Sequence, residues 1–336
     1  KMNTHPILIS LLAISSLSTL ASEVTLYTYR HYEADTKLYE KFTSDTGIKV
    51  NIVKSKADAL LERLKSEGQD CPADLLITSD AARLVKAKDL NLLQQATSST
   101  LEANVPDHLR DSHNQWFGIT VRARVIAYNK SKVKAGEIKT YDDLTDPKWK
   151  GRIVARSSSN IYNQSLLASM IANKGNKSAL LWALETRKNM ARKPQGSDRD
   201  QLRAVAAGVA DAAIVNTYYV GLLANSENPE DQDVANKIDI CFPNQETTGT
   251  HINISGAGLC KYAPNKEGAI KLLEFLTSAE AQSTYPITTS EFPLTMKSDS
   301  SLLMSWGEFK ADQLSLAQLG EYNAAAAKLF NAAQWE

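Results

Sequence analysis

Cysteine is scarce in this chain: three among 336 residues, Cys71, Cys241 and Cys260. None sits in a CxxC pair and their spacing matches no zinc signature, which removes thiolate zinc sites. An exported chain can join two of them, and Cys241 and Cys260 are the nearer pair in sequence. An odd count leaves at least one outside any intramolecular bridge, and three small buried hydrophobes is an equal reading. Net charge is missing too, since 38 basic side chains balance 38 acidic ones. That speaks against a nucleic-acid partner, which favours a basic patch or stripe. Long apolar runs are absent apart from 7–20, which Ser10, Ser15, Ser16, Ser18 and Thr19 dilute. It falls short of the roughly 20 apolar residues of a membrane span, so no stable insertion is expected. There is no Ser-His-Asp constellation, GxSxG, P-loop or dinucleotide fingerprint, and an enzyme is not expected. No internal repeat or low-complexity linker occurs.

What is present begins with an export pattern. Lys1 is basic, 7–20 is apolar, and Leu20-Ala21-Ser22 offers a small-residue end before Glu23. Residues 1–22 therefore read as a signal peptide. No cysteine lies near the cleavage point, which speaks against lipid attachment there. A chain of the remaining length divides into two domains, because one core rarely grows past roughly 250–300 residues.

Alternation and β-formers predict strands over 23–29, 48–53, 74–78 and 211–216. Helices are expected over 34–46, closed by Gly47, and over 57–67, closed by Gly68. Ser79 is the expected cap of a helix over 81–88. Further helices are expected over 164–173, 177–190 and 266–277, with 225–233 a polar loop. Such strand–helix alternation implies a mainly parallel sheet covered on both faces. The β-like run 117–129 is long enough to leave one domain and enter another, and 252–262 reads as the return strand. The tail 300–336 is expected to be largely helical and to pack across the domains. Two α/β domains joined this way enclose a cleft that opens and shuts, and ligands of such sheets sit beyond the carboxyl ends of strands.

Three sites fall at such ends: His31-Tyr32 after the first strand, Tyr162 before a helix, and Tyr218-Tyr219 after the 211–216 strand. Together they offer four phenols and one imidazole. Phenolate oxygen is hard and anionic, and suits Fe(III) better than a soft ion. Against this, a tyrosine pair is commonly a packing feature, and a loop histidine commonly a hydrogen-bonding one. Arg122 and Arg124 alternate on the crossover strand and share a face. Neutralising an anionic metal shell, holding a carbonate-type anion, or forming a salt bridge are all open to them. Asp74 reads as structural.

The chain resembles the periplasmic ferric-ion-binding proteins of bacterial ABC importers, in the branch that opens with a His-Tyr pair. The segments are Leu26-Tyr27-Thr28-Tyr29-Arg30-His31-Tyr32, Pro72-Ala73-Asp74-Leu75-Leu76-Ile77-Thr78, Arg122-Ala123-Arg124-Val125-Ile126-Ala127-Tyr128-Asn129, Trp149-Lys150-Gly151-Arg152-Ile153 and Asn216-Thr217-Tyr218-Tyr219. The resemblance implies an α/β, type II periplasmic-binding-protein fold, two lobes around an interdomain cleft. The expected lobes are 23–121 plus 252–285, and 122–251 plus 286–336. It implies Fe(III) held by His31, Tyr32, Tyr162, Tyr218 and Tyr219, with His31 the least secure because some relatives bind through tyrosines alone. A synergistic anion such as carbonate is an open addition. The implied setting is the periplasm, the partner an inner-membrane ABC permease, and the carrier a monomer. The alternative is a binding protein for an organic solute such as a polyamine, phosphonate or thiamine.

Overall fold

The computed structural model describes residues 23–30 and 32–336. The expected signal segment 1–22, and His31, lie outside the described residues.

β1 (Glu23–Thr28) pairs in parallel with β2 (Lys49–Lys54) and with β3 (Leu75–Ser79). α1 (Glu33–Thr46) makes the first crossover and α2 (Ala57–Glu67) the second. α1 buries Leu38, Tyr39 and Phe42, which share one helical face, and Gly47 ends it in the left-handed conformation at φ 73°. α3 (Ala81–Asp89) follows β3, and its cap differs from expectation. Asp80, not Ser79, accepts from the Ala82 N–H at 3.0 Å. The Asp80 carboxylate also receives the Ser165 hydroxyl at 2.7 Å and the Asn253 amide at 2.9 Å. Those partners need two acceptor oxygens, which a serine lacks.

β4 (Leu93–Gln94) and α4 (Ser99–Asn104) lead to β5 (Trp116–Asn129), buried along its whole length. Then come β6 (Ile153–Val154), α5 (Ile161–Lys188), α6 (Asp198–Ala206), β7 (Ala212–Asn216), α7 (Thr217–Ala224), α8 (Pro229–Asn236), β8 (Ile238–Cys241) and β9 (Ile252–Cys260). α9 (Lys266–Leu276), α10 (Ala279–Thr288), α11 (Ser301–Ser305), α12 (Ala317–Glu321) and α13 (Asn323–Ala332) complete the chain. The strand order is β2-β1-β3-β9-β5-β7-β6, with β4 on β9 and β8 on β5.

β5 does what its length suggested. Trp116 to Ala123 pair with β9, and Arg124 to Asn129 pair with β7 and β8. One strand thus serves both halves of the molecule. Its pairings, like those of β9, are antiparallel, and among the strands named here β1–β2, β1–β3 and β6–β7 are the parallel pairs. The sheet is therefore not mainly parallel as expected, because the two crossing strands run against their neighbours.

α5 breaks at Gly175, whose φ of 79° is not helical, in keeping with two successive helices. The expected polar loop contains α8 instead: Asn228 accepts from the Glu230 N–H at 3.0 Å and Pro229 opens the helix. Cys71, Cys241 and Cys260 are free thiols, and Cys71 and Cys260 are buried. The tail packs across the molecule, with α12 against both α3 and α5 and α13 against α5. Trp335 is fully buried and stacks on Trp182 at 5.5 Å between centroids. Among the described residues no helix is long and apolar enough to cross a membrane.

Candidate metal centre

Each tyrosine of the expected set is placed at a helix start. Tyr32 is the cap residue of α1, in extended conformation, directly beyond β1. The turn before it is closed by the Thr28 hydroxyl, which donates to the Arg30 carbonyl at 2.7 Å. Tyr162 lies in the first turn of α5, where the Asn160 side chain accepts from the Tyr162 N–H at 3.0 Å. Tyr218 and Tyr219 lie in the first turn of α7 rather than in a loop. The Thr217 hydroxyl accepts from the Ala123 N–H at 3.3 Å and ties that turn to β5. Helix starts fix side-chain direction more tightly than loops do.

Four tyrosines converge. The Tyr218 hydroxyl is 3.4 Å from that of Tyr162, which in turn is 3.5 Å from the Ser79 hydroxyl. The rings of Tyr218 and Tyr219 are 4.3 Å apart between centroids, and Tyr32 meets Tyr218 edge-on at 6.5 Å. Tyr162 and Tyr218 are buried. Burial pushes the Tyr218 phenol well above its ordinary value, and the neighbouring phenols of Tyr162, Tyr32 and Tyr219 push it further. Tyr219 is raised by burial and then by Tyr162. Tyr32 is raised by burial and then by Glu291.

Arginines ring the phenols. Arg122 lies 5.3 Å from the Tyr162 ring centre, Arg156 lies 5.5 Å from it, and Arg199 lies 5.9 Å from that of Tyr219. The two arginines of β5 differ. Arg124 is committed to structure, donating to Asp198 at 2.7 Å, Asn163 at 2.6 Å and Asn216 at 3.1 Å. Among the described residues, buried Arg122 reaches only the Ser255 hydroxyl, at 3.4 Å, and its Nε and Nη2 have no hydrogen-bond partner. Asp74 is structural as expected, accepting from the N–H groups of Thr25 at 2.7 Å and Asn265 at 2.6 Å. Among the described residues, no three His, Cys, Asp or Glu side chains gather into a metal cage. The convergent donors are phenols.

The structure adds residues the sequence reading passed over. Arg30 donates to both oxygens of Asp35, at 2.8 and 3.0 Å, and to Glu291 at 2.5 Å, while lying 4.7 Å from the Tyr32 ring centre. Its place beside His31-Tyr32 was visible in the sequence, but its partner Glu291, 261 residues away, was not. Ser79 was read only as a helix cap, and Arg156 and Arg199 carried no sequence signal.

The model of the bacterial extracellular solute-binding proteins matches residues 28–283. The chain belongs to that family. Iron uptake protein A1 of Synechocystis is a relative, 50% identical over 315 residues that cover 94% of this chain and 88% of the relative. Among solved structures, a Trichodesmium protein in complex with iron and citrate ligands superposes with a TM-score of 0.90 at 48% identity, covering 94% of this chain and all of that one. A ferric binding protein from Campylobacter jejuni gives a TM-score of 0.87 at 44% identity, covering 92% and 99%. This solute-binding protein therefore has the α/β two-lobe periplasmic-binding-protein fold.

Proposed function

We propose that this chain binds ferric iron in the periplasm, between its two lobes, and delivers it to an inner-membrane ABC permease. The observation that carries the reading is the convergence of Tyr32, Tyr162, Tyr218 and Tyr219 from three separated helix starts. Hard anionic oxygen is the donor that a small, highly charged ion selects. The relatives whose names and titles carry iron support the same cargo.

In this reading the four phenols ionise as the ion binds, and their protons leave, as coordinated groups lose protons in general. Four phenolates exceed the ion's charge by about one unit, and the surrounding arginines offset that excess. His31 would add a neutral imidazole nitrogen. The free Nε and Nη2 of Arg122 support a carbonate-type or carboxylate anion beside the ion. The lobes of the reading are 23–121 with 252–285, and 122–251 with 286–336, hinged where β5 passes from one half to the other. In this reading the role is carriage rather than catalysis.

The test is a titration of metal-stripped protein with ferric citrate, followed by visible absorbance, beside Tyr218→Phe and Tyr219→Phe. The expected result is a tyrosinate-to-iron charge-transfer band that saturates at a single iron per chain and weakens in both variants. A wild type without that band would overturn the iron reading in favour of an organic solute.

A further inference from the structure

A short strap after α10 touches both halves of the tyrosine cluster. Thr289, Ser290 and Glu291 are all buried. The next residue, Phe292, exchanges two backbone hydrogen bonds with Val121 of β5, each 2.8 Å, so the strap is fastened to the strand that serves both halves.

On one side the strap holds Tyr32. Glu291 accepts from Arg30 Nη1 at 2.5 Å, and also receives the Thr289 hydroxyl at 3.2 Å and the Ser255 hydroxyl at 3.3 Å. Ser255 in turn accepts from Arg30 at 3.1 Å and from Arg122 at 3.4 Å. With Asp35 on its other edge, the Arg30 fork has one orientation, and the Tyr32 ring lies 4.7 Å from its centre.

On the other side it holds α7. A methyl group placed on Gly221 would stand 2.3 Å from Ser290 Cβ and 2.5 Å from its Oγ. Gly221 follows Tyr218 by three positions, so the two lie on one side of the helix. The Asn225 amide at the helix end donates to the Ser290 hydroxyl at 3.4 Å. Ser290 itself holds φ 56°, a left-handed backbone that a residue with a side chain adopts only when its surroundings impose it. A glycine inside a helix is unfavourable on backbone grounds, so close approach is the reason for Gly221.

We propose that the Ser290–Glu291 strap positions the iron site, with Glu291 setting Tyr32 through Arg30 and Ser290 setting Tyr218 and Tyr219 through Gly221. The inference rests on the iron reading above and adds positioning residues outside the ligand set. One strap thereby contacts the elements that carry ligands from both lobes.

Gly221→Ala, Ser290→Gly, their double variant and Glu291→Gln test it. The readouts are the wavelength of the charge-transfer band and the rate at which a strong chelator strips iron. Gly221→Ala is expected to shift the band and speed release by about tenfold or more. Ser290→Gly in the same chain vacates the clash and suits the left-handed φ, so the double variant is expected to return toward wild type in both. Glu291→Gln keeps the shape, removes the charge facing Arg30, and is expected to speed release. A Gly221→Ala variant with the wild-type band and release rate, or a double variant no better than the single, overturns the proposal. Should Gly221→Ala fail to fold, unchanged band and release in Glu291→Gln overturn it instead. A missing band in wild type overturns the iron reading and the strap's role with it, whereas a normal wild-type band with unaltered variants overturns the strap alone.

Discussion

The phenol oxygens of Tyr162 and Tyr218 stand 3.4 Å apart although 56 residues separate them in the chain. Two buried phenols gain only a long, weak hydrogen bond from that approach. In the proposed reading, a cation between them and their neighbours gives the approach its purpose.

Tyr162→Phe should therefore cost much in binding and little in folding. Among the described residues the lost hydroxyl has only long contacts, to Tyr218 and Ser79. Ferric affinity should fall by at least about tenfold, equivalent to about 1.4 kcal/mol. A competition titration against a chelator measures it, and unchanged affinity would remove Tyr162 from the ligand set.

Acid and alkali should act in opposite senses on the loaded and the iron-free protein. Burial, then neighbouring phenols, hold Tyr218 and Tyr219 above the ordinary value near 10. Iron must displace those protons, so affinity should fall as pH falls. Without iron, the folded state keeps protons that the unfolded chain releases around pH 10. Its stability is then complete below about pH 10 and is lost as pH rises through the folded values. Buried Tyr39, Tyr141 and Tyr285 are raised as well and act in the same direction. Denaturant midpoints of iron-free protein at about pH 8 and about pH 11 check the sign, and a higher midpoint at the alkaline end would contradict it.

Arg30→Met should destabilise the iron-free fold. It leaves Asp35 and Glu291 buried without their cation. Removing one partner of a buried pair costs about 3–5 kcal/mol. Equilibrium unfolding in urea reads the loss, and a change near zero would show that the pair contributes no net stability.

Trp335→Ala tests whether the tail is part of the core. The Trp335 ring is fully buried against Trp182 and Phe330, and its N–H donates to the Arg156 carbonyl at 3.0 Å. Truncating a buried tryptophan costs about 3–5 kcal/mol. Because Arg156 lies over Tyr162, the iron band should also weaken. A variant as stable as wild type would place the tail outside the cooperative unit.

Local pattern carried much of this structure. The spacing of Leu38 and Phe42 with Gly47 behind them specified α1, and the β-like length of 117–129 specified a strand shared by two halves. Chemistry-bearing residues were legible where they stood adjacent, as Tyr218 and Tyr219 do. Ser79 was misread as a cap because a hydroxyl before a helix is an ordinary start signal. Asp80 displaced it through two partners, Ser165 and Asn253, that lie 85 and 173 residues away. The polar run from Asn225 looked like a loop because charge hides the Asn228-Pro229 start within it.

The sequence by itself determined which elements form and which hard donors the chain owns, because helix periodicity, capping and phenol chemistry are local properties. Only the tertiary structure decided that β5 and β9 run against their neighbours, that among the described residues Arg124 gains a carboxylate partner while Arg122 reaches only a hydroxyl, and that Glu291 reaches Arg30. Those are relations between residues far apart in the chain, and the packing of the two halves around the shared strand sets them.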